Sequence, residues 1–566
     1  MSAPIVRRRP PGTADNLRAS LHPVLRRVYA ARGVGQAELA LDLGALLPPA
    51  DLLGIDAAAA RVADAIGRRE TIVIAGDYDA DGATGTAVAV LGLRALGAAD
   101  VHYVVPDRFR MGYGLSPALA EAAAATGASL LVTVDNGIAS VAGVARARQL
   151  GMSVVVTDHH LPGSELPDAD AIVNPNQPGC RFASKALAGV GAVFYLLLAL
   201  RAELRRRGAF AQRAEPNLAE LLDLVAIGMV ADVVRLDHNN RILVEQGLRR
   251  IRAGRTRPGV AALLRCAGRD AQRLGSLDLG FALAPRINAA GRLDDMRAGI
   301  ECLLAADAEQ AAPLASALDR FNRERRQIQE QMQLDALDRV DDAGVVGLSL
   351  FDPAWHEGVV GLVASKLKEL RHRPVIAFAR GQQGGELKGS GRSIPGLHLR
   401  DVLAAIDARH PGLIRRFGGH AMAAGLSLDE ARLAEFGAAF DAECAAQLDE
   451  VALQRVMETD GPLEGPELHL DTARALEHAG PWGQGFAEPL FEGVFDIADA
   501  RTMGADGEHV RYRLRHEGGI VGAVDFGGAQ RLRASGTIEI VYAAGVNRYQ
   551  GTEALDLRIA HIEPET

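Results

Sequence analysis

A chain of 566 residues, 48% of them hydrophobic, has the length for three or four domains of about 150 residues each and enough apolar side chains to fill their cores. The net charge of −9 argues against a simple nucleic-acid coat protein, and the basic segments at 201–208, 249–257 and 319–326 are best interpreted as solvated helix faces. The four cysteines have no paired spacing, which gives no support to a disulfide framework or a zinc ribbon and indicates a reducing compartment.

The first 70 residues are predicted to form an N-terminal extension with a helical stretch near 57–66. Arginines near the N-terminus are not followed by the apolar segment of a secretory signal. The apolar run LLDLVAIGMV further along is too short to cross a bilayer. We therefore expect a soluble, cytoplasmic protein with no membrane partner.

Between residue 71 and about residue 175, apolar runs rich in β-branched residues alternate with alanine-rich segments. The runs are TIVIAG, VHYVVP, LLVTVD, SVVVTD and AIVN, and helices are predicted at 84–97 and 116–126. This alternation is typical of an α/β domain with a doubly wound parallel sheet. Such sheets carry their functional residues at the carboxyl ends of the strands.

Acidic and imidazole side chains follow three of these predicted strands. The set is Asp77, Asp79, Asp81, Asp135, Asp158, His159 and His160. Because parallel strands end at one edge of a sheet, we expect these side chains to lie close together. Negative charge concentrated in this way is costly unless a cation neutralises it. The sequence therefore predicts one divalent-metal site at the edge of the sheet.

Three other interpretations fit less well. DYDADG opens like an EF-hand loop, but the twelfth position is Val88 instead of glutamate, and the preceding segment is strand-like. The segment GATGT lacks the lysine of a phosphate-binding P-loop. Aspartates that only cap turns would explain one of the three strand ends, but not all three together.

The rest of the chain divides into three regions. Residues 185–300 look mainly helical and lead into a long predicted helix near 307–341, with apolar residues at mostly three- and four-residue intervals. A second α/β region runs from about 345 to 450, with strands VVGLSLF and PVIAFA on either side of the helix VVGLVASKLKEL. From about residue 455 the pattern favours β structure.

The segment VRYRLR, residues 510–515, alternates apolar and basic residues, so a strand here would place three arginines on one face. Further along, Tyr542 and Tyr549 add aromatic rings. A small barrel with a basic, partly aromatic face would bind single-stranded nucleic acid by phosphate attraction and base stacking. The alternative is a barrel whose arginines serve solubility alone.

The DHH triplet at 158–160, together with DYDADG and VTVDNG, resembles the DHH phosphoesterase superfamily. Further motifs fall in the order found in the RecJ family of bacterial single-strand-specific 5′ exonucleases: DRFRMGYGL, GMVADVV, PRINAAGR, WHEGVVGLVASKL, GSGRSIPGLHLRDVL and FGGHAMAAGL. The resemblance covers nearly the whole chain beyond residue 70. It implies five parts: the extension (1–70), a parallel-sheet DHH domain (71–306), a connecting helix (307–344), a smaller α/β DHHA1 domain (345–452) and an OB-fold-like β barrel that binds single strands (453–566).

The resemblance also implies site residues. The family's metal ligands carry over to Asp77, Asp79, Asp81, Asp135, His159 and Asp232, and the catalytic group to Asp81, Asp135, His159 and His160. Asp232 is the choice for the fourth-motif ligand because it ends an apolar run, and Asp223 remains the alternative. The positions expected to contact phosphate or DNA are Arg108, Tyr113, Arg292, Ser390, Arg392 and His420.

Ligand chemistry predicts the cofactor. Mixed carboxylate and imidazole ligation suits Mn²⁺, with Mg²⁺ as a substitute. Two ions bridged by Asp135 would activate a water and stabilise the transition state. Arginine suits a terminal phosphate because it binds bidentately, which favours Arg392, with Arg108 as a further candidate. His160 would either hydrogen-bond to the scissile phosphate or protonate the leaving oxygen.

The leading hypothesis is a metal-dependent exonuclease that degrades single-stranded DNA in the 5′→3′ direction during recombination and repair. The family resemblance implies single-stranded-DNA-binding protein and a helicase as partners, and a monomer is the default. One alternative is an oligoribonuclease or cyclic-dinucleotide phosphodiesterase, although such relatives typically lack the C-terminal β domain. A second alternative is a non-catalytic single-strand-binding scaffold, although every ligand position here holds a competent residue.

Overall fold

The computed structural model describes residues 4–108, 110–339, 344–381 and 384–564. Residues 1–3 of the predicted extension and 340–343 at the end of the predicted connecting helix lie outside this set. Contacts divide the chain into two units: Arg8–Arg320 with Thr459–Thr566, and Met1–Arg7 with Phe321–Glu458. Within the described ranges no single helix is long and apolar enough to cross a bilayer. By length and composition alone, the bent pair Leu43–Asp51 and Ile55–Arg68 passes that test when taken together.

The chain begins with strand β1 (Ile5–Arg8), which lies beside β12 described below, and helices α1 (Pro23–Ala31) and α2 (Ile55–Arg68). A five-stranded parallel sheet follows, with β2 (Ile72–Ala75), β3 (Val101–Val104), β4 (Leu130–Val134), β5 (Ser153–Thr157) and β6 (Ala171–Val173) in the order β3-β2-β4-β5-β6. Helices α3 (Ala80–Leu96), α4 (Pro117–Ala124) and α5 (Val141–Gln149) connect the strands. The register pairs Ala75 with Thr133 and Val134 with Thr157, so β2, β4 and β5 end side by side.

A helical layer completes this part of the chain. Its members are α6 (Gly189–Arg206), α7 (Leu222–Ala231), α8 (His238–Arg252), α9 (Pro258–Cys266), α10 (Ser276–Asp278), α11 (Ala284–Leu293), α12 (Arg297–Leu304) and the long α13 (Ala308–Arg339), with a π-helical turn at Leu279–Leu283. Helices α6 and α7 both pack against α3, which is buried over most of its length. This packing brings the N-terminus of α6 and the C-terminus of α7 to the edge of the sheet where the acidic residues lie.

The smaller unit has a five-stranded mixed sheet. Strands β7 (Leu348–Phe351), β8 (Val375–Arg380), β9 (Glu386–Arg392), β10 (Arg416–Gly419) and β11 (Ala423–Asp429) lie in the order β10-β11-β9-β8-β7. Only the β7–β8 pair is parallel. Helices α14 (Val360–Arg371), α15 (Leu399–Arg409) and α16 (Leu433–Gln447) accompany the sheet, and Phe378, Phe436 and Phe440 lie in its core.

The C-terminal region is a closed five-stranded barrel, preceded by β12 (Val456–Thr459) and α17 (Leu470–Glu477). Its strands are β13 (Phe491–Met503), β14 (His509–His516), β15 (Gly519–Asp525), β16 (Thr537–Asn547) and β17 (Ala554–Ile562), in the order β13-β14-β15-β17-β16. The expected alternation is present in β14, because Tyr512 is buried while Arg513 is exposed. The expectation that Tyr542 lies on the binding face is wrong: its ring is buried in the barrel core against Phe491 and Phe495.

Buried ion pairs join the N-terminal segment to the region before the barrel. The carboxylate of Asp460 is paired with Arg32 at 2.5 Å and with Arg9 at 3.2 Å. The hydroxyl of Tyr29 donates a hydrogen bond to the carbonyl of Ala479 at 2.6 Å. The N-terminal segment therefore packs against residues just before the barrel, within the larger unit.

Candidate metal centre and nucleic-acid site

The first three aspartates of the site follow β2. Asp77 is buried at the strand end, and Asp79 caps α3 by accepting a hydrogen bond from the Gly82 N–H at 2.9 Å. The carboxylate of Asp81, in the first turn of α3, accepts hydrogen bonds from the N–H groups of Gly189 and Val190 at 2.7 and 3.0 Å. The unpaired N–H groups at the start of α6 thus hold Asp81 in one orientation.

Asp135 follows β4 in a left-handed conformation with φ of +63°. This backbone is strained for a non-glycine residue and persists only where its surroundings hold it. The side-chain amide of Asn136 donates to the carbonyls of Ala75 and Val134, and the hydroxyl of Tyr113 donates to the Asp135 carbonyl at 2.9 Å. Residues around Asp135 therefore fix the direction of its carboxylate.

The Nε2 atom of His159 lies close to carboxylate oxygens of three aspartates. It lies 3.0 Å from Asp135 Oδ1, 3.4 Å from Asp232 Oδ2 and 4.0 Å from Asp81 Oδ2. Three groups of candidate ligand atoms each fit within 4.8 Å: Asp77 with Asp79 and Asp135, Asp81 with His159 and Asp232, and Asp135 with His159 and His160. All six residues predicted as ligands from the family resemblance lie in these groups.

The two fourth-motif candidates lie in different surroundings. Asp232 ends α7 at the metal cluster. Asp223 lies in the first turn of the same helix, and its buried carboxylate accepts hydrogen bonds from the Thr256 hydroxyl and the Arg257 N–H, both at 2.8 Å. The hydrogen bonds of Asp223 give it a structural role, so the geometry favours Asp232 as the ligand.

The electrostatics of the cluster favour a bound cation. Burial, followed by repulsion from neighbouring aspartates, raises the pKa values of Asp77, Asp135 and Asp232 well above the usual range and that of Asp81 to about 7. Among the described residues, Asp77 Oδ1 and Asp135 Oδ1 are buried without a hydrogen bond. Carboxylate oxygens and one imidazole nitrogen form a donor set suited to a divalent transition metal, so the residues present fit such an ion.

His160 has a different environment. Its Nδ1 lies 2.7 Å from Asp158 Oδ1. Burial alone would lower the pKa of His160, but the hydrogen bond and charge of Asp158 outweigh it and raise that pKa to about 9. Burial would raise the pKa of Asp158, and His160 reverses the effect, so the pKa of this carboxyl is lowered. The pair therefore favours an imidazolium bound to a carboxylate.

Three of the predicted DNA-contacting residues lie beside the cluster. The Arg108 guanidinium lies 4.7 Å from the ring centre of Tyr78, and the Tyr113 hydroxyl lies 3.0 Å from His160 Nδ1. Arg292 is carried by α11, which packs closely on the same loop: a Cβ on Gly291 would lie 2.0 Å from the Tyr78 carbonyl oxygen. Helix α11 is thus held against the segment that carries Asp77 and Asp79.

Ser390, Arg392 and His420 belong to the smaller unit. Arg392 Nη1 donates to Ser390 Oγ at 3.1 Å, on β9. Both side chains face the first turn of α14, where a Cβ on Gly361 would lie 2.8 Å from Ser390 Oγ. His420 is exposed just after β10. A hydroxyl, a guanidinium and a helix N-terminus, the types of group that bind phosphate in proteins, therefore lie side by side.

The barrel carries an open groove of about 820 Å³. Its lining includes Arg501, Arg511, Arg548, Arg558, Phe526 and Tyr549. Tyr549 and Phe526 are 74% and 57% exposed, so their ring faces are accessible for stacking. Its lining also includes the small residues Ala543, Ala544 and Gly545.

Several residues of the site were missed in the sequence. Asn136 holds the loop at Asp135, Asn288 accepts a hydrogen bond from the Ala80 N–H at 2.8 Å, and Asn174 and Asn176 donate to the carbonyls of His160 and His159. Each asparagine lies in or beside a motif already singled out. Their positions next to ligands were a signal, but the contacts depend on folding.

A parallel sheet with aspartate and histidine side chains at its strand ends is the arrangement of the DHH phosphoesterases. This chain belongs to that class. Residues 71–229 match the DHH family, N-terminal domain, residues 342–446 match the DHHA1 domain, and residues 459–561 match the RecJ OB domain.

Whole-chain similarity is more specific. A single-stranded-DNA-specific exonuclease RecJ from Dickeya dadantii is 52% identical over 98% of this chain and 99% of its own length. Crystal structures of Thermus thermophilus RecJ in complex with Mn²⁺ and with Mg²⁺ are 33% and 31% identical, with TM-scores of 0.82 and 0.77 over 99% of this chain and 80% and 78% of theirs. The chain belongs to the RecJ family of single-stranded-DNA-specific exonucleases. This match favours the leading hypothesis over the oligoribonuclease and scaffold alternatives.

Proposed function

We propose that this chain is a metal-dependent exonuclease that hydrolyses the phosphodiester bonds of single-stranded DNA in the 5′→3′ direction, in recombination and repair. The observation that carries the proposal is the set of three overlapping ligand groups at the ends of β2, β4 and β5 in a member of this family. Relatives named as single-stranded-DNA-specific exonucleases support the substrate.

The proposed cofactor is Mn²⁺, with Mg²⁺ as a substitute, bound as two ions. Asp135 and His159 each belong to two of the three ligand groups, as expected for groups that serve neighbouring cations. Bound divalent ions would neutralise the buried carboxylates, activate water and stabilise charge on the reacting phosphate. Asp77, Asp79, Asp81, Asp135, His159 and Asp232 would hold them.

The proposed role of His160 is to bind the scissile phosphate. Asp158 fixes Nδ1 of the ring, and we assign Nε2–H, which lies 3.2 Å from the Tyr113 hydroxyl, as the donor toward a phosphate oxygen. Asp158 keeps the imidazole protonated and oriented, in the way that a carboxylate orients histidine in other hydrolytic sites. Arg292 would bind a backbone phosphate, Arg108 is a further candidate for binding the terminal phosphate, and Tyr113 would stack on a base next to the site.

The proposed polarity depends on a pocket for a 5′-phosphate. A terminal phosphate carries more charge than an internal diester, and Arg392, Ser390 and the first turn of α14 offer donors of the type that binds it. His420 would contact the backbone of the same strand. We retain the five-part division inferred from the sequence as the proposed domain organisation.

The barrel would hold the part of the strand that lies 3′ to the reacting phosphate. Exposed aromatic rings and arginines in its groove fit stacked bases and phosphates without sequence preference. We also propose a monomer acting in the cytoplasm, with single-stranded-DNA-binding protein and a helicase as partners that supply its substrate.

An end-label assay tests the proposal. A single strand labelled at its 3′ end is incubated with Mn²⁺ beside a blunt duplex and an RNA of the same sequence. We expect a ladder of shortening 3′-labelled DNA, an intact duplex and no products from a His159→Ala variant. Preferential turnover of RNA or very short oligomers, or tight binding without products, would contradict the proposed function.

A further inference from the structure

Val233 has an exposed side chain in a strained conformation, immediately after a residue of the metal cluster. It follows Asp232 at the end of α7, its φ is +58° and 64% of its surface is exposed. A helix that ends in this way normally carries glycine or asparagine at the position, and a positive φ is especially unfavourable for a β-branched residue. Because the side chain is mostly exposed, burial of apolar surface does not offset the cost of the backbone strain. Packing inside the protein therefore does not explain why this residue is valine.

The other residues with the same backbone differ from Val233. Among the described residues, the non-glycine residues with positive φ are Arg69, Asp135, Val233 and His372. Arg69 and His372 cap helix ends and have no branch at Cβ. Asp135 is a candidate metal ligand. Strained residues cluster at functional sites. We therefore infer that the exposed Val233 side chain contacts something that the protein binds.

A second apolar side chain is exposed beside the end of α7. Phe281 lies in the π-helical turn Leu279–Leu283 and is 74% exposed. This turn packs on α7, because a Cβ on Gly280 would lie 3.2 Å from Val230 Cγ1, one helical turn before Val233. π-helical turns are rare and occur frequently at functional sites. We call Val233 and Phe281 the apolar rim.

We propose that the apolar rim contacts the bases of the single strand whose phosphate lies at the metal cluster. The inference rests on the proposed function. A phosphate bound to metal ions at the cluster would lie close to Asp232, and the exposed side chain of Val233, the next residue, is then within reach of the adjoining nucleotide. Neither rim side chain can bind phosphate, whereas base faces are apolar and stack on aromatic rings with little sequence preference. The rim thus adds a sequence-tolerant base contact next to the reaction.

The test compares Val233→Gly and Phe281→Ala with the control Arg69→Gly, which relieves the same backbone strain away from the cluster. Steady-state kinetics are measured with Mn²⁺ on a normal single strand and on an abasic strand of equal length. We expect Phe281→Ala to raise KM about 5- to 100-fold on the normal strand and Val233→Gly to raise it by a smaller factor, with kcat little changed in both. Both variants should match the wild-type enzyme on the abasic strand. Val233→Gly should melt no lower than the wild-type protein, because glycine accepts this backbone.

Each other outcome has a distinct meaning. A wild-type enzyme that fails to degrade the normal strand would contradict the proposed function itself. If the wild-type enzyme is active, an unchanged KM for either rim variant would overturn the proposal that the apolar rim contacts bases. An equal rise of KM on both strands would also overturn it, because the contact would then be with the backbone. A melting point of Val233→Gly below the wild-type value would assign Val233 a structural role instead.

Discussion

Asp158 Oδ1 lies 2.7 Å from Nδ1 of His160 and accepts the backbone N–H groups of both His159 and His160, at 2.7 and 3.1 Å. Its other oxygen accepts the N–H of Ile138 at 2.9 Å. One buried carboxylate thus fixes the backbone of both histidines and the ring of the second. The first residue of the DHH triplet therefore acts through its neighbours, outside the ligand groups.

Replacing Asp158 by asparagine should lower kcat about 10- to 100-fold, a range typical for residues that orient metal-site histidines. The amide no longer stabilises a charged imidazole, so His160 should also bind the scissile phosphate less tightly and KM should rise, while the metal ligands remain in place. Kinetics on 3′-labelled single strands measure both constants. Asp170→Asn is the control, since Asp170 also accepts a backbone N–H, from Val154 at 2.7 Å, but lies at the opposite end of β5. Equal losses in both variants would contradict the orienting role.

Asp232→Asn and Asp223→Asn should separate metal binding from stability. We expect Asp232→Asn to lose Mn²⁺ affinity and cleavage while keeping its melting temperature. Asp223→Asn should unfold at lower temperature, because it disturbs the buried hydrogen bonds to Thr256 and Arg257, yet bind Mn²⁺ as the wild-type protein does. Calorimetric titration and thermal unfolding give the two readouts. Loss of Mn²⁺ binding in Asp223→Asn alone would reverse the assignment.

Arg392→Ala should reduce the preference for a 5′-phosphorylated strand over a 5′-hydroxyl strand by roughly 10- to 100-fold, because a charge-assisted contact to the terminal phosphate is lost. The measurement is the ratio of kcat/KM for the two strands. Lys388→Ala on the same strand β9 is the control and should keep the wild-type ratio. An unchanged ratio in Arg392→Ala would place the phosphate pocket elsewhere.

The metal-free protein should lose thermal stability as pH rises from 5 to 9. Asp81, with its pKa raised from 3.8 to about 7, stays protonated in the folded state below that pH while the unfolded chain ionises, so each rise in pH from 5 to about 7 favours unfolding. The raised pKa of His160 acts in the same direction, because its stabilisation is complete below the unfolded value of 6.5 and is lost as pH approaches about 9.

Saturating Mg²⁺ should flatten this pH dependence, since the cation compensates the ionised carboxylates. Thermal unfolding in a chelator and in Mg²⁺ measures the difference. The Asp81→Asn variant should show a shallower slope in the chelator than the wild-type protein. Equal slopes with and without metal would indicate that the cluster does not control stability in this range.

Single substitutions in the barrel should weaken strand binding in distinguishable ways. Arg501→Ala should reduce the slope of the logarithm of the binding constant against the logarithm of salt concentration by about 1, because it removes one phosphate contact. Tyr549→Ala should cost roughly 1–3 kcal/mol of binding free energy with an unchanged salt slope, because stacking is not ionic. Arg533→Ala, outside the groove lining, is the control. Binding isotherms at several salt concentrations supply both quantities.

The sheet and its ligands could be predicted because the information is local. Each strand of the parallel sheet is a short apolar run that can be recognised in the sequence. The aspartates and histidines directly after β2, β4 and β5 predict a metal site whatever the conformation of the loops that carry them. Family resemblance, by contrast, was needed for Asp232, because its place at the end of an apolar run favours it but does not exclude Asp223. Only the folded chain shows that one carboxylate meets His159 and the other meets Thr256.

Side-chain direction was the weak point of the prediction. Tyr542 lies one residue after Val541, and both are buried, because a register shift between them in the pairing with β17 interrupts simple alternation. A bulge of this kind leaves no clear pattern in the sequence. The roles of Asn136 and Tyr113 depend likewise on contacts between separate loops, which composition and spacing do not encode.

The ion pair between Arg32 and Asp460 joins residues 428 positions apart. At a translation rate of about 5–20 residues per second, the ribosome needs roughly 20 to 90 s to make the second partner after the first. Through that interval the N-terminal segment lacks these partners, and residues 321–458 of the smaller unit are finished only at its end, just before Asp460 is made. In a newly made chain the N-terminal segment is therefore without these contacts for the longest time, and a chaperone would have the most time to bind there.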